Sequence, residues 1–315
     1  MPINRDLSDL ATGEPEAPES EAPAKPDVLL PIMESWLAEY IANGEDQLDT
    51  ALGTQYRASW ATMCSRRISY DVLKTPETNP NTIADYWRFK LGTMGHELLQ
   101  KHIALAFPES KIELDVDMRP LGIDMSAHLD ALVPDPLHKD AWIPIEIKTV
   151  GGYAYKLAAS TFRGPPEGPR VSAKVQGALS GRALMEDYRI MRMLVIDLSL
   201  ENLSPNLVRS AGLGGELGRF GAQFQYSRDQ MIEMADEEVS RIKWIDSFVS
   251  KGKPAPRHIP YEMPRGARII NPKKGAWRLT EGEGIEEQIV DMGEYWGCNG
   301  YCPYQIQCVA DQEKE

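Results

Sequence analysis

Two periods of apolar residues alternate along this chain and divide it into elements. In VLLPIMESWLAEYIANG (28–44) apolar residues recur every three or four positions, which predicts an amphipathic helix with Gly44 as its C-cap. The same period runs through TIADYWRFKLGTMGHELLQKHIALAF (82–107) and predicts one or two helices, stopped by Pro108. The period then drops to two: KIELDVDM (111–118), MSAHLDALV (125–133) and WIPIEIKTV (142–150) predict strands, the last two joined by the turn-rich PDPLHKD. A helix over SAKVQGALSGRALMED (172–187), an apolar strand in YRIMRMLVIDLSL (188–200), a Gly-rich loop over 201–222 and a long helix from Arg228 complete the pattern. Helix, three strands, helix, strand is the order of an α/β domain with a mixed sheet. LATGEPEAPESEAPAKPD (10–27) has no apolar period and cannot bury enough surface to offset its ordering entropy. Residues 1–27 therefore read as an acidic flexible tail, and 28–315 as a single domain.

One predicted strand breaks its own pattern. Ile143, Ile145 and Ile147 form an apolar face, while Glu146 and Lys148 share the opposite one. A hairpin centred near residue 137 places Asp130 opposite residues 144–146, so that Asp130, Glu146 and Lys148 can point from one face. Adjacent carboxylates repel unless a positive charge lies between them, and a hard divalent cation such as Mg²⁺ or Mn²⁺ would supply it. Such a cation lowers the pKa of a bound water, and a neighbouring ammonium stabilises charge developing on a phosphate oxygen. Phosphodiester hydrolysis suits that combination. By itself an E-x-K triplet is more often a surface ion pair.

GTMGHELLQ, AHLDAL, PIEIKT and KVQGALSG, in this order, resemble the core motifs of PD-(D/E)XK nucleases of the RecB-like type. The resemblance implies a restriction-endonuclease-like core over about 86–200, with a central mixed sheet flanked by helices. It further implies His96, Asp130, Glu146 and the main-chain carbonyl of Ile147 as metal ligands, Lys148 as catalytic lysine and Gln176 as the glutamine of a Q-x-x-x-Y motif. Ser180 stands where that motif has tyrosine, and Ala127 where glycine is usual. Asp124 is a competing carboxylate, but the hairpin register carries it past the E-x-K strand. Glu97 points about 100° away from His96 on a helix. His128 shares the strand face of Asp130.

The four cysteines are Cys64, in CSRR, and Cys298, Cys302 and Cys308, in CNGYCPYQIQC. Clustered thiols in a chain expected to be cytoplasmic point to a metal or cluster rather than to disulfides. Four thiolates complete either zinc or an iron-sulfur cluster. The one-plus-three spacing is unusual for zinc and resembles that of RecB-like nucleases with an iron-sulfur staple, including AddB-type helicase-nucleases and CRISPR-associated Cas-four-type exonucleases. That resemblance implies a [4Fe-4S] cluster tying helical segments near 60–70 and 295–310 together, with zinc as the alternative.

The formal net charge of −13 argues at first against a polyanionic partner. Its distribution changes that picture. Residues 1–50 carry 12 acidic side chains against Arg5 and Lys25, and hence −10 of the total. The window 251–278 is +7 and 151–182 is +4. Arg66, Arg67, Arg163, Arg170, Lys174, Lys273 and Lys274 are thus candidates for gripping a DNA backbone. No apolar run reaches the roughly 20 residues of a membrane span. At 42% hydrophobic and 26% charged the composition is that of a soluble globular protein. No G-x-x-x-x-G-K-[ST] motif is present. The combined expectation is a stand-alone, metal-dependent DNA exonuclease acting on free, single-stranded 5′ ends, with recombination or CRISPR-adaptation proteins as partners. The rival is a DNA-end binding or recombination-accessory module that keeps the fold without the chemistry.

Overall fold

Thr82 opens the longest helix with a reciprocal cap: its hydroxyl accepts from Asp85 N, while its own backbone N–H donates to the Asp85 carboxylate at 3.0 Å. Ser227 and Gln230 repeat the device at the start of the second longest. In the computed structural model the residues described are 29–43, 51–159, 168–200, 220–257, 267–271, 276–279 and 302–312. The chain divides into two units, Met1–Asp46 and Gln47–Glu315. Of the first, one helix is described, α1 (Leu29–Ala42). The predicted tail and the Gly44 cap lie outside the described residues.

In the second unit the helices are α2 (Ser65–Val72), α3 (Ile83–Ala106), α4 (Gly152–Ala159), α5 (Val171–Leu184), α6 (Arg228–Val249) and α7 (Gln305–Gln312). The strands are β1 (Tyr56–Arg57), β2 (Lys111–Asp117), β3 (Met125–Pro134), β4 (Trp142–Val150), β5 (Arg192–Ser199) and β6 (Gly221–Ser227); β7 (Ala267–Asn271) and β8 (Ala276–Leu279) pair by themselves. Six strands form one mixed sheet in the order β1-β3-β4-β5-β6, with β2 also on β3. Strands β4 and β5 are parallel, with α4 and α5 in the crossover between them, whereas β3 is antiparallel to both β2 and β4. The mixed α/β architecture read from the sequence is thus present.

One segment departs from that reading. Gly221 and Ala222, expected in a loop, open β6, which pairs antiparallel with β5 over its full length. Its pattern GAQFQYS is too polar to announce a strand, because β6 is an edge and turns only Ala222, Phe224 and Tyr226 inward on its alternating face. Residues 201–219 of the same expected loop lie outside the described residues.

The sheet has two apolar faces. On one, Met125, Ala127, Leu129 and Met193 pack with Val175 and Leu179 of α5 and Met231, Val239 and Ile242 of α6. On the other, Ala131, Val133, Ile143, Ile145 and Ile147 pack with Leu99 and Ile103 of α3. Both helices reach β4 through glycines. A Cβ on Gly95 of α3 would stand 2.6 Å from Thr149 Cγ2, and one on Gly177 of α5 would stand 3.2 Å from Glu146 Cβ. A side chain at Gly95 would force α3 or Thr149 to shift, and one at Gly177 would press on the stem of Glu146.

Strand β3 changes face midway. Odd positions up to Leu129 pack towards α5, but from Ala131 the odd positions pack towards α3. Strand β2 does the same between Leu114 and Ile112, and between them Glu113 holds a left-handed φ of 50°. The ladder pairs Ile112 with Ala131 and Leu114 with Leu129, leaving the break at Glu113 and Asp130. A non-glycine residue at positive φ costs about 1–2 kcal/mol. Gln100 of α3 spans the break, donating to the Glu113 carboxylate and, at 3.3 Å, to the Asp130 carbonyl.

Candidate active site

The break determines where Asp130 points. Strand β3 pairs with β4 from Ala131–Ile145 to Pro134–Trp142, centring the hairpin on residue 138 and leaving Asp130 level with Glu146. Beyond that pair the two strands part, and the Ile147 N–H loses its ladder acceptor. The Asp130 carboxylate replaces it, accepting from Ile147 N at 2.6 Å through Oδ2. Its other oxygen lies 3.0 Å from Nδ1 of His96, which α3 supplies from the opposite side. Asp130 therefore lies at the edge between strands, linking β4 to α3.

Glu146 and Lys148 face α5. Glu146 is 1% exposed, and Lys148 Nζ lies 2.6 Å from its Oε1. This charge-assisted contact is the one partner Glu146 has, and apart from Lys148 neither carboxylate oxygen has a donor. Burial raises the Glu146 pKa above the ordinary carboxylate range; Lys148 opposes the rise and Asp130 adds to it. Burial would depress Lys148, but Glu146 and Asp130 outweigh it and hold the ammonium charged. Lys148 Nζ also donates to Gln176 Oε1 on α5 at 3.1 Å. Ser180, one turn further on, is buried and bonds back to the Gln176 carbonyl at 3.2 Å, so it closes the helix rather than facing a ligand.

Sequence reading passed over a further carboxylate. Asp197 on β5 is in register with Lys148, 1% exposed, and its Oδ1 receives no hydrogen bond. The signal was a single acid inside the apolar run MLVIDLSL. Burial pushes the Asp197 carboxyl up to about 6, against the lowering influence of Arg170 and Lys148. An acid whose folded-state pKa is raised stabilises the fold below its unfolded value and loses that contribution as pH climbs through the folded value. Asp197→Asn should therefore match the unaltered chain near pH 3.8 and exceed its stability by about 2 kcal/mol at pH 8, checked by urea unfolding at both.

The other expected residues fall elsewhere. His128 is half exposed and pairs across strands with Asp115 at 2.6 Å. Asp124 caps β1, accepting from Gln55 N at 3.1 Å. Glu97 is exposed on α3. Arg170, exposed, and Lys174, half-buried with its pKa lowered by burial, stand at the start of α5. Arg66 is 2% exposed; it donates to the Ala255 carbonyl at 3.3 Å and lies against Cys308. The charge of Arg67 reaches Cys302 and Asp71. Both arginines thus stand with the thiols. Arg163, Lys273, Lys274 and Cys298 lie outside the described residues.

The three described cysteines form no disulfide with one another and are drawn from both ends of the unit. Cys64 stands at the N-cap position of α2, Cys302 precedes α7, and Cys308 is buried on α7 in one cluster with Tyr70 and Tyr304. They are near enough for charge on one to raise the pKa of another, and burial pushes the Cys308 thiol up to about 11. Hydrogen bonds stitch the same segments together: Tyr70 to Asp311 at 2.8 Å, Tyr304 to Asp71 at 2.7 Å, and Thr78 N to the Pro303 carbonyl at 2.7 Å.

Donor chemistry at the two places differs in kind. Around Glu146, buried carboxylate oxygens with one ammonium as their partner fit a hard cation; around Cys308, thiols beside a buried guanidinium fit a soft metal or an anionic cluster. Among the described residues no set of three or more His, Cys, Asp or Glu side chains is gathered closely enough to hold a metal as it stands. Nor is any helix among them long and apolar enough to cross a membrane.

No protein-family model and no curated protein matches the chain. Among solved structures it is similar to an alkaline exonuclease from Laribacter hongkongensis, at 13% identity and a TM-score of 0.39, covering 69% of this chain and 95% of that one. A likeness at that level bears on neither substrate nor mechanism.

Proposed function

We propose that the chain is a metal-dependent DNA exonuclease of the PD-(D/E)XK kind. The observation that carries this reading is Glu146: a fully buried carboxylate whose one partner is the Lys148 ammonium, level with Asp130, at the point where β3 and β4 part. One ammonium leaves most of the acceptor capacity of this buried carboxylate unused, which is a costly arrangement. Glu146, Asp130, His96 and the Ile147 carbonyl would hold Mg²⁺ or Mn²⁺, which when bound lowers the pKa of a coordinated water and offsets charge on the scissile phosphate. Lys148, held by Gln176, presents an ammonium to the attacking water and the phosphate oxygen. Asp130 fixes the β4 backbone at Ile147. Arg170 and Lys174 stand at the start of the same helix as Gln176, placed to grip a DNA backbone. Preference for free, single-stranded 5′ ends rests on the motif resemblance.

The thiols carry a second part of the reading. Cys64, Cys302 and Cys308, completed by Cys298, would hold a [4Fe-4S] cluster that staples α7 to α2. Protein purified without oxygen should be brown and contain iron; a colourless, zinc-containing protein would replace the cluster by a zinc staple.

Linear and circular forms of one single-stranded DNA, incubated with Mg²⁺ or Mn²⁺, test the function. Degradation of the linear form alone supports an exonuclease. Cleavage of both would make it an endonuclease, and binding without cleavage would leave a DNA-end binding module.

A further inference from the structure

Lys148 has one charge partner too few. As the chain stands, its ammonium is paired with Glu146 at 2.6 Å. If Glu146 gives its oxygens to a cation, that pairing is lost and a largely buried ammonium faces a second positive charge. Something must hold Lys148 in place, and Gln176, a neutral acceptor at 3.1 Å, supplies no charge.

The neighbouring strand supplies it. Lys148 and Asp197 are Cα partners on the parallel pair β4 and β5, so their side chains rise about 4.8 Å apart from the same face of the sheet. Asp197 is 1% exposed, its Oδ1 receives no hydrogen bond, and its partner on the far side is Ala222 of β6. The other charged and titratable groups that bear on it are Arg170, ahead of α5, Tyr155 of α4 and Tyr226 of β6. A buried carboxylate with an empty acceptor, one strand away from a lysine bound to lose its partner, is a vacancy matched to that lysine.

We infer that Asp197 is a positioning residue: when a divalent cation takes Glu146, Lys148 transfers its ion pair from Glu146 to Asp197 while keeping Gln176. The inference rests on the cation site proposed above. No covalent step is involved; one ammonium exchanges one carboxylate for another. The exchange removes the competition between lysine and cation for Glu146. It also leaves Lys148 charged and aimed where a water would be activated.

The test is calorimetric titration of the full chain with Mn²⁺ alone, without DNA. Asp197→Asn should weaken Mn²⁺ binding about tenfold, because Lys148 then clings to Glu146. In a Lys148→Met background the same replacement should change affinity less than about twofold, since no ammonium is left to relocate. Asp197→Glu, which restores the charge, should recover most of the affinity, and Asp197→Ser repeats the test if the amide perturbs the fold. Equal weakening in both backgrounds would reduce Asp197 to a distant negative charge and overturn the inference alone, as would no weakening in either. Failure of Mn²⁺ to bind the unaltered chain would overturn both the inference and the nuclease reading beneath it.

Discussion

Replacing Lys148 by Met is expected to lower the rate of metal-dependent DNA degradation by about 10²–10³-fold while leaving DNA affinity nearly unchanged. The methionine keeps the length of the side chain and removes its charge. Only an interaction that strengthens as charge builds on the phosphate should be lost, so the effect belongs in the single-turnover rate rather than in binding. The change also removes the ion-pair partner of buried Glu146 and should lower stability at neutral pH, so thermal unfolding of the variant is measured beside its rate. Gln176→Leu should give a smaller loss, since it removes the group that aims the ammonium and leaves the ammonium itself. Single-turnover rates and DNA affinities of both variants check the order. An unchanged rate for Lys148→Met would remove the lysine from the chemistry.

Cys308→Ser is expected to strip the protein of iron and lower its thermal midpoint by about 5–10 °C. Cys308 is the most buried of the three described thiols, and it packs with Tyr70 and Tyr304, two tyrosines in contact that already join the α7 segment to α2. A cluster held there closes a loop of more than two hundred residues, from Cys64 to Cys308, which is where a cross-link removes most freedom from the unfolded chain. Loss of the cluster should not release α7 entirely. The bonds from Tyr70 to Asp311 and from Tyr304 to Asp71 remain, so the drop is a partial one. Iron assay and calorimetry of oxygen-free preparations check both halves.

Much of this site was legible in the sequence because it follows period-two and period-four rules. The alternation of Ile143, Ile145 and Ile147 placed Glu146 and Lys148 together, and the turn-rich PDPLHKD brought Asp130 within a residue or two of them. The glycines of GTMGHELLQ and KVQGALSG mark where α3 and α5 touch β4. What escaped depends on contacts far apart in sequence. Simple alternation puts Asp130 on the face of Glu146, but the paired break at Glu113 and Asp130 turns it into the gap beside Ile147, and positive φ at a glutamate carries no local signature. Arg66 and Arg67 look like a DNA-facing pair in CSRR; α2 is packed so that Arg66 turns inward to Cys308 and the Ala255 carbonyl. Asp197 was hidden in an apolar strand, where its meaning depends on lying beside Lys148 in a sheet whose order the sequence does not spell out.

The most direct test of the account is the fate of end-labelled single-stranded DNA incubated with Mg²⁺ or Mn²⁺ and either the unaltered chain or Glu146→Gln. The account predicts metal-dependent release of label by the unaltered chain and loss of that release in the variant, which keeps the shape of Glu146 but not its charge. Equal release by both would contradict it, and so would no release at all from unaltered protein whose thiol-bound metal has been verified.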